Sequence, residues 1–586
     1  MKNMKTIYKA LCAGVFACGT LTSCNDFIDV EPKGVISENL AMSQPEEMVT
    51  SAYAKLGDDW YTYPFNLWPY GDVSSDDAMK GGSGTTDTNY HPVEVWSTLT
   101  ASTPDHMDEQ WYHFYCSISR CNRALVSLAE DGVAKLGEEK AKIREGEVRF
   151  LRAHFYFKLV QMWYQVPWVD EEVYKNHSEE QTPNNQFTHE ELMDKIVADF
   201  KFAYDVLPAT QSEGGRANKI AAAAYLAKCY LTMAWGDGYE ASTGVSHINS
   251  QYMQEVVKYT NDVKNSQYGY LEDYGDIFLP EYKNSKESIF AVQHSDYQDD
   301  NTRFGRANWS NMLNGCWGIW SCGWDFHKPS QNLVNAFKTE NGLPMFDTYN
   351  DAIAYPINGA PNAQKWDPRL FHTVGMPTFP YKYETEYTMT KDNSRTPNTY
   401  GYYTSLKEVP QRSKGETYDN PWQAFAMNDY VLRYTDVMLM RAEALIELGG
   451  TANLEEARGI VNDIRQRAKN SIGKHIAYAA NQCEIALYAA SDFDTQEKAR
   501  VRLQWERRLE LAMENGRYFD LRRWGIASQT LNKFFEREQY SVYDGQTYAQ
   551  YYKDAHYTPA KNEYFPLPYI QLYYVPGLYT QNRGYN

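Results

Sequence analysis

The chain has 586 residues, a formal charge of -19, 15% aromatic residues and 48 tyrosines. That length exceeds what one small hydrophobic core serves, so it implies two intimately packed lobes or a repeat scaffold with insertions. The acids are dispersed without forming a tail, which excludes a nucleic-acid partner, and no apolar run in the body of the chain is long enough to span a bilayer.

Met1 to Ser23 reads as a secretory leader, with Lys2, Lys5 and Lys9 as the basic part and Ala10 to Leu21 as the apolar part. The sequence Leu21-Thr22-Ser23-Cys24 has the form of a bacterial lipobox. Cys24 is then the lipidated first residue, and its acyl chains hold an acidic body at a membrane surface. Residues 24–43 form a tether. Of nine cysteines, Cys12 and Cys18 leave with the leader, and the remainder do not make a disulfide scaffold. Cys116, Cys121 and Cys229 read as buried small hydrophobes. Cys316 and Cys322 are close enough in sequence to pair if the geometry permits. No cysteine or histidine spacing matches a zinc site, and neither a metal nor a cofactor is expected.

A first helix is expected from Gln44 with Ser43 as its N-cap. Residues 62–104, rich in aromatics, Pro, Gly and Asp, are expected to be a functional loop. Apolar spacing of three and four predicts helices over Asp105 to Glu130, Glu138 to Trp163, Thr188 to Leu207, Ala217 to Trp235 and Gln251 to Asn265. Paired helices of this length resemble an array of roughly 34-residue repeats. From 268 to 424 short runs such as Ser288 to Gln293 predict strands within an irregular inserted lobe. Helical patterning resumes at Tyr430, with a glycine C-cap near Gly450, and continues through LEEARGIVNDIRQRAKN and Thr495 to Asn515. The fold class is therefore mainly α: a helix-pair scaffold at 44–267 and 425–586 carrying an irregular lobe at 268–424.

Between Phe304 and Phe326 lie Trp309, Trp317, Trp320 and Trp324, separated by Gly, Asn, Ser and Cys. Such spacing suits a loop that presents flat amphipathic faces, although the same rings could pin the loop to its scaffold. Glycan recognition needs aromatic platforms for the C–H faces of sugars and polar groups for their hydroxyls. The candidates are Trp68, Tyr70, Asp72, Asp76, Asp77 and Trp96 in the first loop. The second supplies Asp296, Tyr297, Arg303, Trp309, Asn311, Asn314, Trp317, Trp320 and Trp324.

The chain resembles the SusD/RagB family of outer-membrane nutrient-binding lipoproteins. The resemblance rests on Cys24, GEVRFLRAHFYFKLVQMWYQVPWV from Gly146, RANKIAAAAYLAKCYL from Arg216, and DPRL from Asp367. It continues through LRYTDVMLMRAEALIELGG from Leu432, ERRLELAMENGRYFDLRRWG from Glu506 and EYFPLPYIQL from Glu563. It implies a tetratricopeptide-like body, a ligand site in the irregular lobe and a SusC-like TonB-dependent porin as partner. Trp324 matches a family binding tryptophan most closely. In GRYFDLRRWG, Arg517, Asp520, Arg522 and Arg523 read as ion pairs without chemistry, as do Arg441 and Glu443.

A glycoside hydrolase would need two carboxylates facing each other across a cleft, and the adjacent Asp76 and Asp77 suit that poorly. No GxSxG, HExxH or P-loop pattern occurs. A peptide ligand is the alternative binding reading, but a row of tryptophans favours sugars over a strand-edge groove.

Overall fold

The computed structural model describes residues 38–103, 106–242, 244–245, 247–295, 307–319, 323–359, 364–414, 417–418 and 424–585. The leader, Cys24 and most of the tether lie outside them.

The scaffold is a run of helices, each packed on the next. Helix α1 (Pro45–Ala54) rests on α2 (His106–Ser127), and α2 on α3 (Glu138–Met162). The order continues through α4 (His189–Val206), α5 (Lys219–Ala234) and α6 (Ser250–Lys264). Helix α6 packs directly on α7 (Tyr434–Leu448), so the stack runs on across everything inserted between them. Helix α7 in turn contacts α8 (Thr451–Asn470) and α9 (Gln496–Leu511).

Local chemistry sets these boundaries. Thr188 and Glu191 form a reciprocal capping box at the start of α4, while Asn218, Asn249 and Thr495 cap α5, α6 and α9. Helix α1 differs from expectation. Its N-cap is Gln44, which makes no side-chain cap bond, and Ser43 instead donates its hydroxyl to the carbonyl of Leu40. Ala221 to Ala224 are fully buried on α5, where small side chains let neighbouring helices approach. Gly146 serves the same end on α3, because a Cβ there would lie 2.4 Å from Val206 Cγ2. Cys121 and Cys229 are buried as expected, whereas Cys116 is only partly so. Cys322, and with it the expected pairing with Cys316, lies outside the described residues.

Two short antiparallel ladders organise the inserted part. Strand β2 (Ser288–Val292) pairs with β4 (Asp429–Arg433), Ser288 opposite Arg433 and Val292 opposite Asp429. The chain's exit from the scaffold is thus hydrogen-bonded to its return. Strand β1 (Ala78–Gly81) pairs with β3 (Phe326–Pro329), which draws the first aromatic segment against the end of the tryptophan stretch.

Residues 62–103 are not a wholly exposed loop. They form an inner layer between scaffold and lobe, and most of their side chains are buried. At its centre His327 bridges two carboxylates, with Nδ1 at 2.9 Å from Glu408 and Nε2 at 3.2 Å from Asp72. Burial alone would lower the imidazole pKa, but Glu408 and Asp72 outweigh it and raise it to about 9.

A folded-state pKa above the ordinary value of about 6.5 contributes stability that is complete below pH 6.5 and is lost as pH rises through 9. Buried lysines such as Lys158, lowered to about 8 by burial, act in the opposite sense, so the comparison must be differential. The melting temperature of the parent chain is expected to exceed that of His327→Gln most at pH 6, with the gap narrowing towards pH 10. A gap that stays constant over this range would remove the imidazolium from the account.

Candidate functional site

Most of the expected ligand-binding side chains are structural. Trp68 is buried, donates Nε1 to the carbonyl of Ser310 at 3.0 Å and meets Tyr90 edge-on. Trp96 is buried with its ring stacked on Phe565, and Tyr70 is packed edge-on against the same phenylalanine. Asp72 accepts from the Asn515 amide as well as from His327. Asp76 and Asp77 are buried against Arg508 and Arg517. Trp309 is 2% exposed, and Asn311 and Asn314 are held by Asn66 and Glu408. These side chains were expected in a solvent-facing loop. The β1–β3 ladder folds the first segment inward against the end of the tryptophan stretch, which buries these side chains.

Their surroundings push the acidities of the two aspartates apart. Burial alone would raise Asp76, but Arg508 and Arg517 hold it down to about 2. Asp77 is pushed up to about 6 by burial together with the neighbouring Asp76 charge, which outweigh Arg508. Both are shut away from solvent.

Asp296, Tyr297, Arg303 and Trp320 lie outside the described residues. Trp317 and Trp324 remain: Trp317 is 39% exposed and Trp324 is half-buried. Between them lies Arg395, its guanidinium carbon 5.3 Å from each ring centroid. Arg395 Nη1 is 3.3 Å from Asp87 Oδ2, and that oxygen also accepts from the amide and hydroxyl of Ser83, each at 2.7 Å. Asn393 donates its amide to the Trp317 carbonyl at 3.1 Å and reaches the Tyr387 hydroxyl at 3.2 Å.

Buried cations set the geometry beneath this face. Lys80 donates to the carbonyls of Gly81, Gly84 and Asp87 at 3.0, 2.9 and 2.6 Å, drawing the KGGSGTTD turn around its ammonium. Burial lowers its pKa to about 8 despite the attraction of Glu94 and Asp87. Asp325 takes Lys328 at 2.6 Å and the Arg395 amide at 2.8 Å, so one carboxylate fixes the approach of both Trp324 and Arg395. Gly81 has φ of +84°, and a Cβ there would lie 2.2 Å from the Asp325 carbonyl, so only glycine fits the ladder's end.

An exposed indole clamped by a guanidinium, with a carboxylate at its rim, can take an apolar ring face while bonding hydroxyls at its edge. Sequence reasoning missed Arg395 and Asp87. Neither sits in an aromatic run, and only the fold brings SRTPN and GTTD to the tryptophans. A separate concavity of about 560 Å³ lies where Trp60 and Trp309 meet, with Tyr53, Arg120, Arg216 and His294 in its walls.

A family model described as the SusD family matches residues 286–585, and one described as starch-binding associating with outer membrane matches residues 26–231. A SusD-like protein of Bacteroides ovatus is 24% identical, over 86% of this chain and 80% of its own length. A SusD-like protein of Bacteroides fragilis superposes with a TM-score of 0.67 at 23% identity, covering 94% of this chain and 97% of that one. Surface glycan-binding protein A of Bacteroides fluxus superposes at 0.64 and 18% identity, covering 94% and 100%.

The two kinds of tryptophan should separate in denaturation. Trp96→Ala is expected to cost about 3–5 kcal/mol by leaving a cavity against Phe565, whereas Trp317→Ala should stay within about 1 kcal/mol because the ring is already partly in water. Equal losses in urea melts would mean that Trp317 also serves the core.

Proposed function

The chain belongs to the SusD family, and from that membership we propose that it is a surface-exposed outer-membrane lipoprotein that captures a polysaccharide or oligosaccharide. It then hands the ligand to a SusC-like TonB-dependent porin. The observation that carries this reading is the exposed Trp317 and the half-buried Trp324 clamping Arg395 beside Asp87. The lipobox at Cys24 and the family description support the membrane association, and the porin partner follows from the family resemblance.

In this reading a pyranose lies with its C–H face on Trp317. Arg395 donates to its hydroxyls, and Asp87 accepts from them, while Asn393 braces the Trp317 backbone from below. Each stacked ring contributes roughly 1–3 kcal/mol, by the scale for burying a large apolar side chain. Binding of that strength releases readily, as transfer to a transporter requires. The protein binds its ligand without cleaving it. The Asp76 and Asp77 pair is sealed from water and held by arginines, so it offers no acid and base to a bound glycosidic bond.

Calorimetric titration against neutral and acidic polysaccharides tests the reading. Trp317→Ala and Arg395→Ala should each weaken the bound glycan about tenfold or more, a decade being about 1.4 kcal/mol. The oligosaccharide should return intact by chromatography after prolonged incubation. Unchanged affinity in both variants, shorter products, or binding of peptide pools in place of glycans would overturn it.

A further inference from the structure

We propose that Asp273, Asp276 and His475 form a binding site for a divalent transition-metal ion of the zinc and manganese class. The three side chains come from two distant segments, the turn leading into β2 and the turn following α8. Each offers one ligand atom, and these atoms all lie within 4.8 Å of one another. His475 Nε2 stands 2.7 Å from Asp276 Oδ1.

Asp273 supplies an independent sign. It is fully buried, its Oδ1 accepts from the Gly275 amide at 2.7 Å, and its Oδ2 has no hydrogen-bond partner among the described residues. A buried carboxylate oxygen without a donor is costly, and coordination to a cation removes that cost.

The donor set selects the ion. Calcium and magnesium prefer shells made of oxygen, whereas an imidazole nitrogen beside two carboxylates suits zinc or manganese. The His475 ring is also held in place. It stacks on Tyr383 at 4.7 Å and 24°, and the Tyr383 hydroxyl is held by His372 Nδ1 at 2.8 Å. Binding exchanges the Nε2 contact with Asp276 for a coordinate bond, with the imidazole proton on Nδ1. Bond lengths of about 2.0–2.2 Å draw the three atoms closer together, and the partly exposed His475 side chain can make that movement. The other charged groups nearby are Glu272 and Glu281, the latter paired with Lys414. Water completes the shell on the open side. A bound ion would tie the entry to β2 to the end of α8 and, through Tyr383, to the lobe.

The full mature chain, stripped with a chelator and dialysed, should bind one zinc ion in calorimetry, with manganese competing for the same site. His475→Ala and Asp276→Asn should each weaken zinc tenfold or more while the metal-free variants melt within a few degrees of the parent. Asp273→Asn should do the same, and if it fails to fold the other two variants decide. No zinc uptake, zinc uptake unchanged by His475→Ala, or calcium uptake that zinc does not displace would each overturn the proposal.

Discussion

The structure depends on one buried set of charges. Arg369, Arg433, Arg465 and Arg467 face Asp367, Glu287, Glu506 and Glu510, all essentially without solvent exposure. Burial alone would raise Glu510, yet Arg467, Arg433 and Arg369 surround it and hold it well below the ordinary carboxylate range. Such a cluster gains little over a well-packed apolar one, but removing a single partner costs about 3–5 kcal/mol because a buried charge is left exposed to nothing. Its value here is positional. Glu287 stands at the start of β2, Arg433 at the end of β4, Arg369 inside the lobe, and Glu506 and Glu510 on α9. The same charges that hold α8 against α9 therefore fix where the lobe leaves the scaffold and where it returns.

The proposed ligand face inherits that rigidity through a second layer. Asp76 and Asp77 clasp Arg508 on α9 and Arg517 beyond it, and their segment continues into β1, which pairs with β3. From β3 the chain leads back through His327 and Asp325, both at positive φ, to Trp324. Non-glycine residues keep such backbone angles only where surrounding contacts over-determine them, and here the contacts are Glu408, Asp72, Lys328 and the Arg395 amide. Two indoles and a guanidinium are thus held on a braced surface, which is how weak contacts are kept aligned without ordering costs at each binding event.

The scaffold was legible in the sequence because helical spacing and capping residues are local signals. Glu138 to Trp163 and Thr188 to Leu207 are found within a residue or two of their observed ends, and SIFAVQ names β2. The first loop misled because aromatics among Pro, Gly and Asp read alike whether they face water or line an inner layer. What decides is the pairing of Ala78–Gly81 with Phe326–Pro329, a contact between distant residues that no local pattern announces. Trp317 and Trp324 were visible as a tryptophan run, but the Arg395 between them was not. Nor was the meeting of Asp273, Asp276 and His475, since metal-ligand spacing is recognisable in sequence only when the ligands are close together in the chain.

The most direct measurement of the central claim is a crystal structure with a bound oligosaccharide. The account predicts a sugar ring within about 4 Å of the Trp317 or Trp324 indole, with a hydroxyl bonded to Arg395 or Asp87. Sugar found only in the concavity between Trp60 and Trp309, with the Arg395 clamp untouched, would contradict it.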